Sequence, residues 1–519
     1  MGVHRSIREE CRVERGAARL QTIAGHVGEE EFPIRLSRQD ERMSVPPTTT
    51  VRSRKTMALW IVFLVMLVLY AWAYSYLGAV LILGKNTDRT GSAQAAFVDA
   101  VYRAASVGNH EERPSVLGEF TRLLPQYTDG TVDPLFPWLL RGYATQPPDE
   151  VFEAGKWMNF VLSGGLLLAF ALAAARAFSF SGATAVVLMG GFGVILERSA
   201  YFSPDAIYYL LIVLTWLCAL SLIRQNHLWL YGVFGILLGL SFLAKPLVWP
   251  IALGFLLVSV IRSLWVAFRS RRDRQDAGTW SPSNQLVGFA MTIAAFLIIT
   301  GPRLSYAAGN FGDPLHSYQK YLIWLDTPAE AVLFQQQNPG KAELERIPPG
   351  EKPGLVRFVT QKGFSALIDR GMKGALAQVK SSVLGRGGWI LIYGVFVFLV
   401  IAGIHRWAAI HQNDEIWQVR GTSARWMLLF LGLVIAITLF YSGIGNPIIP
   451  HSAMTTSLFL PILVTFIWIS ERYRRQLQRS QFAKLVNGVY VVLMAGSILW
   501  ITCRIVLGLY SLMRSSPLV

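Results

Sequence analysis

Long apolar runs separated by short polar breaks dominate the chain. About eleven runs are long enough to cross ~30 Å of hydrocarbon, near 57–83, 157–178, 182–197, 205–223, 228–244, 247–267, 286–301, 388–405, 426–443, 454–470 and 486–510. Hydrocarbon offers no partner to a free N–H or C=O, so each run must be a helix that satisfies its own backbone. The pattern predicts an all-α polytopic membrane protein with about eleven transmembrane helices.

Two connections are long, 84–155 and 302–386, and the others are short. In the first, residues 93–105 place Phe97, Val98, Val101 and Tyr102 at helical spacing, which predicts an amphipathic helix lying on the membrane surface. Pro134 and Pro137 are expected to bracket a turn that leads into a second interfacial helix over 138–143. In the second connection, 303–316 reads as irregular and 318–325 as aromatic-rich. A turn-rich excursion follows at Asn338-Pro339-Gly340 and Pro348-Pro349-Gly350, and 356–383 reads as an amphipathic helix. Transporters built from inverted repeats carry matching halves, and no such symmetry appears here.

The net charge of +16 invites a nucleic-acid reading, but its distribution argues for topology instead. With the N-terminus in the cytoplasm, Arg52, Arg54, Lys55, Arg269, Arg271, Arg272, Arg274, Arg406, Arg420, Arg425, Arg472, Arg474, Arg475, Arg479 and Lys484 all fall inside. The short outer loops hold little more than Arg198 and Lys245. This is the positive-inside pattern. It predicts a multi-pass protein of the cell (inner or plasma) membrane, with the C-terminus and both long loops outside. Residues 1–56 read as a disordered cytoplasmic tail, with Met43 as an alternative start and 57–519 as the transmembrane domain. No cleavable signal peptide is recognisable. Cys11, Cys218 and Cys503 leave the outer loops without a disulfide.

Five segments then recur in order. Asp88 follows the first span at once. Asp133-Pro134-Leu135-Phe136-Pro137-Trp138-Leu139-Leu140 comes next, followed by Ser203-Pro204-Asp205-Ala206-Ile207-Tyr208-Tyr209-Leu210-Leu211. Gly239-Leu240-Ser241-Phe242-Leu243-Ala244-Lys245-Pro246 and Asn310-Phe311-Gly312-Asp313-Pro314 complete the series. Over about residues 57 to 470 the chain resembles the GT-C glycosyltransferases, nearest to their protein O-mannosyltransferase-like and aminoarabinose-transferase-like branch. The resemblance implies a GT-C fold. It also implies transfer of a sugar, with inversion, from a polyprenyl-phosphate-linked donor to a lipid, glycan or protein acceptor on the outer face.

The chemistry sets its own demands. Inverting transfer needs a carboxylate to take the acceptor's proton, and the departing phosphate needs cations or hydrogen-bond donors. Asp88 stands where the resemblance places the catalytic Asp, although Asn86-Thr87-Asp88 also suits a plain turn. Aligning Ala93-Gln94-Ala95-Ala96-Phe97 with the family's Asp-to-Tyr spacing puts alanine in the catalytic place. That leaves three readings open: Asp88 or Asp99 takes over, the register differs, or the step is lost. Asp205 is the second catalytic candidate, for positioning the acceptor or sharing the base role. Its Ser-Pro-Asp context is equally good helix-start chemistry. Lys245 and Arg303 are the phosphate-binding candidates. Glu197 and Arg198 line the same pocket or snorkel to the interface. His451 is a further hydrogen-bond donor to the phosphate, and Tyr318, Tyr321 and Trp324 are rings for a sugar or for the interfacial aromatic belt. No HExxH or CxxC motif specifies a metal, so no metal site and no resident cofactor is expected, although scattered outer carboxylates leave room for a hard divalent cation. Two other readings of the same features are an inactive GT-C-like protein that binds or assembles lipid-linked glycans, and a transporter or flippase.

Overall fold

The structure, a computed structural model, describes residues 49–85, 92–106, 132–268, 282–338, 341–348, 350–384, 422–445, 452–477 and 483–515. Among these residues it contains helices and turns but no strand. The helices are α1 (Thr49–Val80, prolonged by a π turn, Leu81–Lys85), α2 (Ser92–Ser106), α3 (Leu135–Leu140), α4 (Pro148–Ala177) and α5 (Phe180–Gly190). Helix α5 passes through a second π turn, Gly191–Ile195, into a last turn, Leu196–Ser199. Then come α6 (Asp205–Gln225), α7 (Leu228–Ala244), α8 (Trp249–Phe268), α9 (Pro282–Phe311), α10 (Tyr318–Leu322), α11 (Pro328–Gln337), α12 (Lys341–Arg346), α13 (Leu355–Lys362) and α14 (Phe364–Leu384). Helices α15 (Thr422–Ile444), α16 (Ser452–Leu477) and α17 (Ala483–Ser515) complete the set.

Seven of the described helices contain a segment long and apolar enough to cross a membrane. These segments are Trp60–Leu83, Pro148–Arg176, Asp205–Gln225, Pro246–Trp265, Asn284–Phe311, Trp426–Ile444 and Asn487–Leu509. Three shorter apolar helical segments accompany them, Phe180–Ile195, Leu228–Ala244 and Ser457–Glu471. The expected span at 388–405 lies outside the described residues. Apolar side chains cover outward faces as well as the core: Trp60, Leu64, Val68, Leu69 and Trp72 of α1 are all exposed. A soluble protein would not carry a continuous apolar belt of this kind, so the chain is a multi-pass membrane protein.

The structure moves several expected boundaries. Helix α9 runs through Pro302 to Phe311, ten residues beyond the expected end of its span at 301. Arg303 therefore stands inside a helix rather than in an irregular loop. Helix α4 starts at Pro148, before the expected 157, with Asp149 and Glu150 in its first turn, where the N-terminal dipole favours them. Pro137 does not close a turn. It occupies the first turn of α3, where its missing N–H has no partner to lose. The stretch expected as one helix over 356–383 is two, α13 and α14, broken at Gly363, whose φ of +86° few other residues tolerate.

Helix α6 is the centre of the packing. It contacts α4, α7, α8, α15 and α16, and its Trp216, fully buried, donates to Thr465 Oγ1 at 2.8 Å and meets Phe430 at a 4.8 Å centroid distance. The most extensive seam joins α7 to α9. It is built on Gly235 and Gly239, a small-xxx-small pair that lets two backbones approach closely. A Cβ on Gly235 would lie 2.4 Å from the Thr292 carbonyl oxygen, and one on Gly239 would lie 2.8 Å from Ile299 Cβ. Backbone at Thr292 cannot step aside, so Gly235→Leu should lower stability by about 3 kcal/mol or more through overpacking. Gly232→Ala, whose nearest new contact is at 3.9 Å, should change little. Thermal unfolding in detergent compares the two.

Candidate functional site

Helix ends at short connections, together with residues at the end of the first long connection and the start of the second, carry the charged side chains singled out from sequence. Asp205 is the first residue of α6, behind Ser203 and Pro204. Lys245 follows α7 in an extended conformation (φ −159°, ψ 130°), as the residue before a proline prefers. Its backbone N–H closes the helix onto Ser241 O at 2.8 Å, while its ammonium forms a direct ion pair with Asp205 Oδ1. The side chains of this pair are only 19% and 10% exposed. Arg198, in the last turn of α5, adds its field to Asp205. Arg303, on α9, is buried at 7% exposure.

The fifth contributor is Asp133. Its half-buried carboxyl lies within electrostatic reach of Lys245, Arg303 and Asp205. Burial pushes this carboxyl up to about 7. The cations Lys245 and Arg303 pull it back, and Asp205 adds a smaller upward push. Tyr208, one turn into α6 and fully buried, lies close enough to feel both carboxylates.

Local packing explains why Asp133 stays there. Helix α3 buries Leu135, Phe136, Pro137 and Leu140. Phe136 sits edge-on to Phe97 of α2 at 5.8 Å and to Phe202 at 5.2 Å, and Phe202 meets Phe152 of α4 at 5.5 Å. Gly155 leaves the room for Phe202, since a Cβ there would lie 2.1 Å from its ring. The 200–204 turn is held from two sides: Asn159 Nδ2 donates to Tyr201 O and Ser203 O at 2.8 and 2.7 Å, and Phe202 N donates to Gln94 Oε1 at 2.9 Å. On the far side of this aromatic column, buried Lys156 donates to Ile82 O at 3.1 Å and lies 4.5 Å over the Phe152 ring. It fastens the π turn at the end of α1 to α4.

Of the residues singled out from sequence, Asp205 and Lys245 pair directly, Arg198 acts on Asp205, and Arg303 acts with them on Asp133. Asp88 and His451 lie outside the described residues. Asp99, the other stand-in for the base, is exposed on α2. Tyr321 and Trp324 pack within the second long connection, against Phe334 and Phe358, and so belong to its small cores. Tyr318 is the first residue of α10. Asp133 opens one of the five sequence motifs, and nothing in the sequence alone gives it a role. The available signal was a carboxylate immediately before an otherwise apolar Pro-Leu-Phe-Pro-Trp-Leu-Leu run. Among the described residues, no three His, Cys, Asp or Glu side chains are grouped to hold a metal ion. No protein-family model matches the chain, and no curated protein matches it significantly.

Lys245→Met would strand the Asp205 carboxylate among apolar helices. Breaking a buried pair from one side costs about 3 kcal/mol or more, whereas removing both charges is close to neutral. Unfolding measurements should therefore find Lys245→Met clearly destabilised and the double variant Asp205→Asn with Lys245→Met largely restored.

Proposed function

We propose that this protein transfers a sugar from a polyprenyl-phosphate-linked donor to a lipid, glycan or protein acceptor at the outer surface of a cell membrane, as a GT-C-type inverting glycosyltransferase. The observation that supports the reading is the ion pair of Lys245 with Asp205, with Arg198 acting on Asp205 and with Lys245, Arg303 and Asp205 all within electrostatic reach of Asp133. A lipid-linked sugar phosphate presents its phosphodiester at the membrane boundary, with its chain in hydrocarbon and its sugar in water.

The division of chemistry follows from charge. Attack by the acceptor oxygen on the anomeric carbon forms one C–O bond and breaks the C–O bond to phosphate, whose oxygen leaves with the electron pair. Arg303 supplies a planar fork of donors for that oxygen, and Lys245 a mobile point charge. Both stand in partly dehydrated surroundings, where such contacts strengthen as charge develops. Carboxylates on the same cluster are placed to orient the acceptor hydroxyl and take its proton.

Purified protein in lipid nanodiscs, given radiolabelled polyprenyl-phosphate sugars and membrane extract, should move label to an extractable acceptor. Arg303→Gln should reduce that transfer by about 10²–10³-fold, the range for losing one donor to a developing anion, and Arg303→Lys should retain part of it. A wild-type protein that moves no label from any donor would defeat this reading.

A further inference from the structure

We infer that Asp133 is the proton acceptor of the site, while Asp205 serves as a positioning residue that holds Lys245. The inference rests on the transferase reading and assigns the step for which the early carboxylates of the first long connection had been the natural candidates.

The two carboxylates differ in what occupies them. Asp205 is committed: one oxygen is in direct contact with the Lys245 ammonium, and its place at the start of α6 adds the helix dipole. A carboxylate held so closely by a cation is a poor proton acceptor. Asp133 is near the same cations, but among the described residues its carboxyl forms no hydrogen bond and no contact ion pair. It is half-buried where Asp205 is buried, so Asp133 is the more accessible residue of the two. Its backbone is fixed by the wedge of α3, whose Trp138 N–H closes onto Pro134 O at 3.2 Å.

The charged groups acting on Asp133 are Lys245 at the end of α7, Arg303 on α9 and Asp205 at the start of α6. Helix α2, packed on α3, carries Asp99 and Arg103. The resulting affinity for a proton, midway near pH 7, suits a general base, which works best when its pKa lies near the working pH. The step balances: the acceptor hydroxyl gives its proton to the Asp133 carboxylate as its oxygen bonds the anomeric carbon. The electron pair of the broken bond goes to the phosphate oxygen beside Arg303 and Lys245. Ionised Asp133 is the active form, so transfer should rise with pH up to about 7 and level off above it.

Infrared titration of protein labelled with 13C at its aspartate carboxyls tests the assignment without a known sugar. Wild type and Asp205→Asn should each show a carboxyl that ionises near neutral pH, and Asp133→Asn should lack it. In parallel, Asp133→Asn should still bind methyl farnesyl phosphate, a phosphodiester whose charge does not change over this range. It should lose transfer at least 100-fold, with the neutral-pH inflection gone, and Asp133→Glu should regain part of the rate. A titrating carboxyl that persists in Asp133→Asn, or an unchanged pH profile of transfer in that variant, overturns the assignment. A normal Asp133 titration in a wild-type protein that neither binds the diester nor transfers label overturns the transferase reading instead.

Discussion

A charge set among apolar helices has to find its counter-charge inside the protein, because the surrounding hydrocarbon supplies neither water nor ions. The contact between Asp205 and Lys245 meets that demand. It joins the start of α6 to the end of α7, helices already packed side by side. The remaining charges act around it: Arg198 on Asp205, and the Lys245–Asp205 pair and Arg303 on Asp133. Isolated among apolar helices, each of these groups would be costly. Together, these cations and carboxylates offset part of one another's charge.

Apolar packing fixes the geometry of this polar group. The glycine seam packs α7, which ends before Lys245, closely against α9, which carries Arg303, and the aromatic column Phe97–Phe136–Phe202–Phe152 packs α3, just after Asp133, against α2 and α4. Lys156 and Asn159 extend the framework by tying down a π turn and a loop through backbone carbonyls. Helices and hydrogen-bonded turns thus hold the backbone on which these charged groups stand.

The helical, membrane-spanning character was readable from hydropathy because lipid leaves a long apolar run no other backbone solution. Lys245 and Asp205 were readable because charges beside apolar spans are rare. Their contact was not, since forty residues separate them in sequence. The extension of α9 past Pro302 escaped the reading because proline usually ends a helix, and here the apolar run fades just where the helix continues. Asp133 was hidden for a different reason: its role depends on Lys245 and Arg303, which arrive from distant segments. The base expected from the resemblance, Asp88, and the expected hydrogen-bond donor to the phosphate, His451, fall outside the described residues.

The central claim is that this charge cluster is a seat for a lipid-linked phosphodiester. An experimental structure of the protein in a nanodisc with a non-hydrolysable polyprenyl phosphodiester tests it most directly. The account predicts phosphate density within hydrogen-bonding distance of Arg303 and Lys245, with the sugar side turned toward Asp133. A well-resolved ligand bound elsewhere, with the Asp205–Lys245 contact intact and the space before Arg303 empty, would contradict it.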